Sequence, residues 1–74
     1  MQKTLTSFGQ WLAREIENRE ETRTSFAHRI GVSRDALHRW LQGHSIPRGD
    51  NLSRIARGLE IERGEVDRHL SEAA

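Results

Sequence analysis

The chain has 74 residues and a mass of 8.6 kDa, about the size of one small domain, which excludes an enzyme built as two lobes around a cleft. Its 12 basic and 11 acidic residues nearly cancel to a formal net charge of +1, and cysteine is absent. Disulfide bonds, thiolate zinc sites and a cysteine nucleophile are therefore excluded, and the fold must depend on its own core or on a partner subunit.

The apolar residues follow the period of an α-helix throughout, and no stretch alternates for long enough to predict a strand. The first helix is predicted from Ser7 to Arg19, with Thr6 or Ser7 as its N-cap. The face that it would bury consists of four apolar residues at helical spacing: Phe8, Trp11, Leu12 and Ile16. This pattern is typical of an amphipathic helix that packs on a core.

A second, shorter helix is predicted from Arg23 to Ile30. Thr22 is a suitable N-cap, and Gly31 can end the helix in the left-handed conformation. The small residue Ala27 would allow a neighbouring helix to cross closely. Because Gly31 ends the helix, a turn is predicted at residues 31–33.

The third helix is predicted from Arg34 to Gln42, with Ser33 as its N-cap and Gly43 at its end. Its inner face is apolar: Leu37, Trp40 and Leu41. Its outer face is entirely polar or charged: Arg34, Asp35, His38 and Arg39. A helix with this division exposes hydrogen-bonding side chains while it is held by the core.

The fourth helix is predicted from about Gly49 to Arg57, with an ambiguous start because Asp50 is a better cap than the residues before it. Gly58 predicts an early end to this helix. The fifth is predicted from Glu62 to Leu70, with an apolar stripe of only two residues. Such a helix needs packing against the body or against a second copy of the chain.

The charges are distributed unevenly despite their balance. Residues 23–57 contain seven arginines against two aspartates, a balance of +5, whereas residues 1–22 carry −1 and residues 58–74 carry −3. A basic middle between acidic ends favours a polyanion as partner, although an unevenly solvated surface remains the alternative.

Two short helices around a glycine turn, the second with a polar outer face, are typical of the helix-turn-helix. The run TRTSFAHRIGVSRDALHRWLQG at 22–43, followed by Pro47 and LSRIA at 52–56, resembles the phage repressor/Cro-type (Xre-like) DNA-binding family. This resemblance implies an all-α, compact five-helix bundle of the lambda-repressor-like type over residues 1–74, with the helix-turn-helix at about 23–42. It also implies a dimer on a palindromic duplex, with helix 3 in the major groove.

The resemblance implies a set of DNA-binding residues: Arg23, Ser33, Arg34, Asp35, His38, Arg39 and Arg48. Arg34, Asp35 and Arg39 fall on base-reading positions, and an arginine can donate two hydrogen bonds to guanine. Asp35 is four residues before Arg39, so we favour a role in orienting that guanidinium over direct contact with cytosine. Arg23 matches a position that contacts phosphate, and Arg48 matches one near the backbone or the central minor groove. For Arg48, Arg54 and Arg57, contact with DNA is weighted equally with a solvated side chain or a surface ion pair.

The function expected is a non-enzymatic, sequence-specific transcriptional regulator, in the first place a homodimeric repressor in the bacterial or phage cytoplasm. An antitoxin that represses its own operon, with a toxin or co-regulator as partner protein, is a variant. A protein-interaction module without DNA binding is the rival. No cofactor is expected, a metal site is disfavoured because the four histidines form no i, i+4 pair, and no apolar run is long enough for a membrane span. The dimer patch is expected among Leu41, Ile46, Leu59 and Ile61.

Overall fold

A computed structural model describes residues 7–73, which form five α-helices. They are α1 Phe8–Asn18, α2 Arg23–Ile30, α3 Arg34–Gln42, α4 Asp50–Leu59 and α5 Arg63–Ala73. The all-helical prediction is confirmed, and the predicted limits of the second and third helices are those observed.

Helix α1 begins with a reciprocal cap. The Ser7 hydroxyl accepts a hydrogen bond from the backbone N–H of Gln10 at 3.1 Å, and the Ser7 backbone N–H donates to the Gln10 side-chain oxygen at 3.2 Å. This exchange satisfies two N–H groups that a helix start otherwise leaves without partners. Ser7 is therefore the N-cap, while Thr6, the other candidate, lies outside the described residues.

The ends of α3 are fixed by local geometry. Ser33 caps its start by accepting from the Ala36 N–H at 3.0 Å. Gly31 before it and Gly43 after it have φ of 83° and 79°, in the left-handed region that glycine enters without the steric penalty of a Cβ. The chain thus turns sharply on both sides of this helix.

One hydrophobic core unites the helices. Its largest fully buried side chains include Phe26, Leu12, Ile16, Leu37, Ile55 and Leu59. Where α1 meets α3, a Cβ on Gly9 would overlap the backbone oxygens of Trp40 and Leu41. Because Gly9 has no side chain, the backbone of α1 packs directly against the backbone at the end of α3. This close contact fixes the position of α3 relative to α1.

The predicted early end of the fourth helix is wrong, since α4 continues through Gly58 to Leu59. Gly58 is buried, and a Cβ there would overlap the Ile30 side chain and lie 3.1 Å from a ring carbon of Phe26. The glycine marks the close approach of α2 and α4. Asp50 is the first helical residue, and Gly49 stands at the N-cap with φ of 56° and no side-chain cap.

Helix α5 starts one residue later than predicted and extends further, to Ala73. Val66 is fully buried, and Leu70 packs against the core from a half-buried position. The sequence pattern missed a third attachment, the His69 ring stacked on Trp11 with centroids 4.1 Å apart and planes 14° from parallel. The thin apolar stripe is thus supplemented by an aromatic contact with α1.

Candidate nucleic-acid interface

The outward face of α3 carries the predicted polar residues in solvent. Arg34, Asp35, His38 and Arg39 are all exposed, while Leu37 and Trp40 on the opposite side are buried. Leu41 joins the core as well. The helix is therefore anchored by one face and presents the other along its whole length.

The N-terminal turn of α2 lies beside this face. A groove of about 430 Å³ runs between α2 and α3, and its lining includes Arg23, Thr24, Arg34, Asp35 and His38. Four of the predicted site residues thus meet in one groove. Arg39 and Arg48 do not line it, although both are exposed: Arg39 lies on α3 and Arg48 in the loop before α4.

Thr24 was not among the predicted site residues. It is exposed in the first turn of α2 next to Arg23 and shares the groove with Arg34. A hydroxyl at a helix N-terminus can donate to an oxyanion alongside the free backbone N–H groups. The signal in the sequence was its position two residues after the cap, Thr22.

Ser33 is the N-cap of α3 in the free chain. Its hydroxyl oxygen accepts the Ala36 N–H, which leaves its own hydrogen free to donate. The predicted pairing of Asp35 with Arg39 is not observed: four ion pairs form among the described side chains, and neither residue takes part. Both side chains are therefore free to find other partners.

The arginines of the basic segment divide into two groups by their contacts. Arg29 donates to both carboxylate oxygens of Glu21, at 3.0 and 2.7 Å, and to the Gly58 carbonyl at 3.0 Å. Arg54 donates to the carbonyls of Ile30 and Gly31, at 3.2 and 3.4 Å. These two side chains hold α2, α4 and the turn together.

The second group has no such contacts. Of the seven arginines in residues 23–57, five make no hydrogen bond or ion pair within the part of the chain that the structure describes: Arg23, Arg34, Arg39, Arg48 and Arg57. An unpaired, exposed guanidinium keeps all five N–H donors for a ligand. Four of these five arginines are predicted site residues.

The contact between Arg29 and Glu21 changes the protonation equilibria of both. The hydrogen bond that Arg29 donates lowers the pKa of the Glu21 carboxyl, and the same bond raises the pKa of Arg29. Both shifts favour the charged pair. Its charge is neutralised internally, so Arg29 contributes less to the field over the α3 face than its formal charge indicates.

Two kinds of feature are absent from the described residues. No group of three or more histidine, cysteine, aspartate or glutamate side chains is placed to hold a metal ion there. Among the same residues, no helix has both the length and the apolar character needed to cross a membrane.

Comparison with known proteins gives two matches. The Helix-turn-helix family model matches residues 13–66, most of the chain, including α2, the turn and α3. The fold is similar to the solution structure of the DNA-binding domain of the P22 C2 repressor, with a TM-score of 0.78 and 17% identity over 86% of this chain and 84% of that one. No curated protein matches the sequence. The predicted repressor-type five-helix fold is confirmed.

Proposed function

Because the chain belongs to the Cro/C1-type helix-turn-helix family of DNA-binding transcription regulators, we propose that it is a sequence-specific repressor that binds a palindromic operator as a homodimer. The observation that carries the proposal is the outward face of α3, where Arg34 and Arg39 are exposed and unpaired within the described residues. Acting on DNA, the protein would work in the bacterial or phage-infected cytoplasm.

Arg34 and Arg39 are the residues proposed to read bases. Each guanidinium can donate two parallel hydrogen bonds to O6 and N7 of a guanine in the major groove, worth about 1–3 kcal/mol of discrimination. His38 lies one turn after Arg34 on the same exposed face, within reach of the same groove. Specificity would then come from three side chains on one helix.

Asp35 is the acidic member of this face. A carboxylate among phosphates is repelled unless it accepts from a cytosine amino group or pairs with a cation. In the free chain no ion pair joins it to Arg39 among the described residues. We propose that the pair forms on DNA, where the guanidinium must be aimed at one base.

Arg23, Thr24 and Arg48 are proposed to hold the phosphates. Arg23 stands at the first position of α2, where backbone N–H groups and the positive helix end favour an anion. Ser33, whose hydroxyl hydrogen is free, completes this set. Such contacts orient the protein on the duplex without reading sequence, and those made by the two arginines also make binding more sensitive to salt.

The dimer is proposed to form around Ile46. This side chain is 56% exposed, the one large hydrophobic residue that the described part of the chain leaves in solvent. It borders an apolar groove with Phe8, Trp40 and Leu70. Leu41 and Leu59, two other residues of the predicted patch, lie in the core instead. Two half-sites about one helical turn apart would follow.

The dimer is tested by sedimentation of the free and DNA-bound chain. Ile46→Asp should shift both to the monomer, since it places a charge in an apolar interface. His44→Asp adds the same charge at an exposed neighbour outside the groove and should leave the assembly unchanged. A wild-type monomer on DNA would contradict the dimer while leaving DNA binding intact.

The function is tested by selecting duplexes from a random library at two salt concentrations. A repressor of this kind should enrich one palindromic motif and lose affinity steeply as salt rises. Recovery of no motif, together with salt-independent binding of another protein, would instead support the interaction module. Copurification of a stable protein partner with the DNA-bound chain would identify the antitoxin-type variant.

A further inference from the structure

A second basic pocket lies at the other end of α2 from the groove between α2 and α3. It encloses about 280 Å³ and is lined by Arg29, Ile30, Arg54, Arg57 and Gly58. It shares no lining residue with the groove between α2 and α3. The groove is lined by the first turn of α2, at Arg23 and Thr24, and the pocket by its last turn, at Arg29 and Ile30, about 8 Å further along the helix axis. The second pocket thus sits in the seam between α2 and α4.

Guanidinium donors remain unused around this pocket. Arg57 is exposed and makes no hydrogen bond or ion pair to any described residue. Arg54 uses one terminal nitrogen, Nη1, for the carbonyls of the turn, and Arg29 uses Nε and Nη2 for Glu21 and Gly58. Five donors on Arg57, three on Arg54 and two on Arg29 are therefore left, as each guanidinium carries five N–H bonds.

The charge of the pocket is uncompensated on the α4 side. None of the described residues that line it is acidic. Glu21 pairs with Arg29 from the neighbouring cavity, which it shares with Glu20 and Glu60. Arg54 and Arg57 are three residues apart on α4, so their like charges repel one another along one side of the helix. An anion between them would remove that repulsion.

We propose that the pocket between α2 and α4 binds the phosphate groups of a small ligand, held by Arg57 and Arg54 and bounded by Arg29. Two guanidinium forks match the oxygen spacing of phosphate, and bidentate arginine contacts are the strong form of this hydrogen bond. The volume exceeds that of one phosphate and fits a diphosphate with part of the group that bears it. Ile30 supplies the apolar wall on which that group would rest.

The ligand is assigned as a free molecule and not as the DNA backbone. The same phosphate chemistry is present in both, but the two cavities lie at opposite ends of α2 and against different helices, α3 and α4, and a duplex that follows α3 contacts the groove at Arg23. The site does not depend on the proposed repressor function. Its binding can be measured without any DNA.

Inorganic pyrophosphate is the probe, titrated into the full chain labelled with nitrogen-15 at constant ionic strength. The amide signals of Ile30 and Gly58 should shift and saturate. Arg57→Gln should raise the dissociation constant, measured from the shift of the Gly58 amide signal, about tenfold. This is the effect of losing one charge-assisted arginine contact. Arg14→Gln, the same change at an exposed arginine outside this pocket, should leave it unchanged.

Two outcomes would overturn the site: shifts at Gly58 that never saturate, or equal weakening in both variants. Both variants should melt at the wild-type temperature, because both arginines are exposed and neither makes a hydrogen bond or ion pair to a described residue. To decide whether the phosphate belongs to a free ligand or to DNA, the affinity of both variants for the duplex recovered by selection is measured in the absence of pyrophosphate. Equal DNA affinity of the two variants supports a free ligand, whereas a selective loss in Arg57→Gln would reassign the pocket to the DNA backbone.

Discussion

The two sides of α2 use the same residue type in opposite ways. On the side of α3, Arg23 and Arg34 point into solvent without a partner among the described residues. On the side of α4, Arg29 and Arg54 donate to Glu21 and to the backbone carbonyls of Ile30, Gly31 and Gly58. The difference shows that a basic segment combines arginines that build the fold with arginines that remain free for a ligand.

This division has a simple physical origin. A helix end leaves carbonyl groups without intrahelical partners, and a cation close to them is stabilised. Arg54 lies within reach of the end of α2 and donates to it, whereas the exposed arginines of α3 donate to no described carbonyl. Substitution of the arginines that donate to carbonyls should therefore change folding, and substitution of the unpaired arginines should change binding.

The largest effect on stability is expected at Gly58, where α4 packs most closely against α2. Gly58→Val should lower the free energy of unfolding by about 2–3 kcal/mol, because its side chain would collide with Ile30 and Phe26. Urea unfolding followed by tryptophan fluorescence measures it. Gly64→Val is the matched control, since a Cβ at Gly64 meets nothing within 4 Å. Equal losses in the two variants would show that crowding is not the cause.

On the other side, Arg34→Ala should weaken binding to the selected duplex by about 10- to 100-fold, the value of one bidentate guanine contact. The free energy of unfolding should stay within about 0.5 kcal/mol of wild type because the side chain is exposed. Fluorescence anisotropy on labelled duplex gives the first quantity. Arg14→Ala is the control for charge alone, and an equal loss there would remove Arg34 from the reading face.

Arg54→Ala should change stability and not DNA binding, the opposite of Arg34→Ala, and the effect should be smaller. Loss of the hydrogen bonds to the carbonyls of Ile30 and Gly31 should lower the free energy of unfolding by about 1 kcal/mol. Arg57→Ala, one turn further along α4 and without such contacts, should cost less than about 0.5 kcal/mol. The comparison between paired and unpaired arginines fails if Arg57→Ala destabilises the chain as much as Arg54→Ala.

The smallest effect concerns pH. Because Arg29 lowers the pKa of Glu21 in the fold, the pair stabilises the chain above the unfolded pKa of glutamate, and this contribution disappears as pH falls through the folded value. The raised pKa of Arg29 adds no change in this range, since arginine stays charged throughout. The pair is partly exposed, so it is worth only a few tenths of a kcal/mol.

Glu21→Gln should accordingly lower the unfolding free energy at neutral pH and match wild type in acid. Unfolding curves at closely spaced pH values measure this difference. Glu17→Gln, an exposed carboxylate in α1 outside the four ion pairs, serves as the reference. A difference that persisted unchanged into acid would mean that Glu21 acts by packing and not by charge.

Local chemistry made much of this fold predictable. The limits of α2 and α3 follow from Thr22, Gly31, Ser33 and Gly43, each of which acts within four residues of its own position. The exposed face of α3 follows from helical period alone. These features need no knowledge of the rest of the chain.

The remaining features depend on residues distant in sequence. Gly58 has the sequence character of a helix end, yet it lies inside α4 because Ile30 and Phe26 occupy the space of its side chain. Arg54 acquires its role from carbonyls more than twenty residues earlier. The seam between α2 and α4, with its second pocket, was therefore beyond prediction, whereas the candidate reading residues were placed by family resemblance.

The two left-handed glycines that bound α3 also have a thermodynamic consequence. With Gly31 and Gly43 turning the chain at either end, the helix has a fixed length of nine residues and cannot lengthen without a change at one of them. Docking on DNA then requires no segment of α2 or α3 to fold. Calorimetry should show a heat-capacity change that corresponds to the apolar surface removed from water, without the large negative increment of coupled folding.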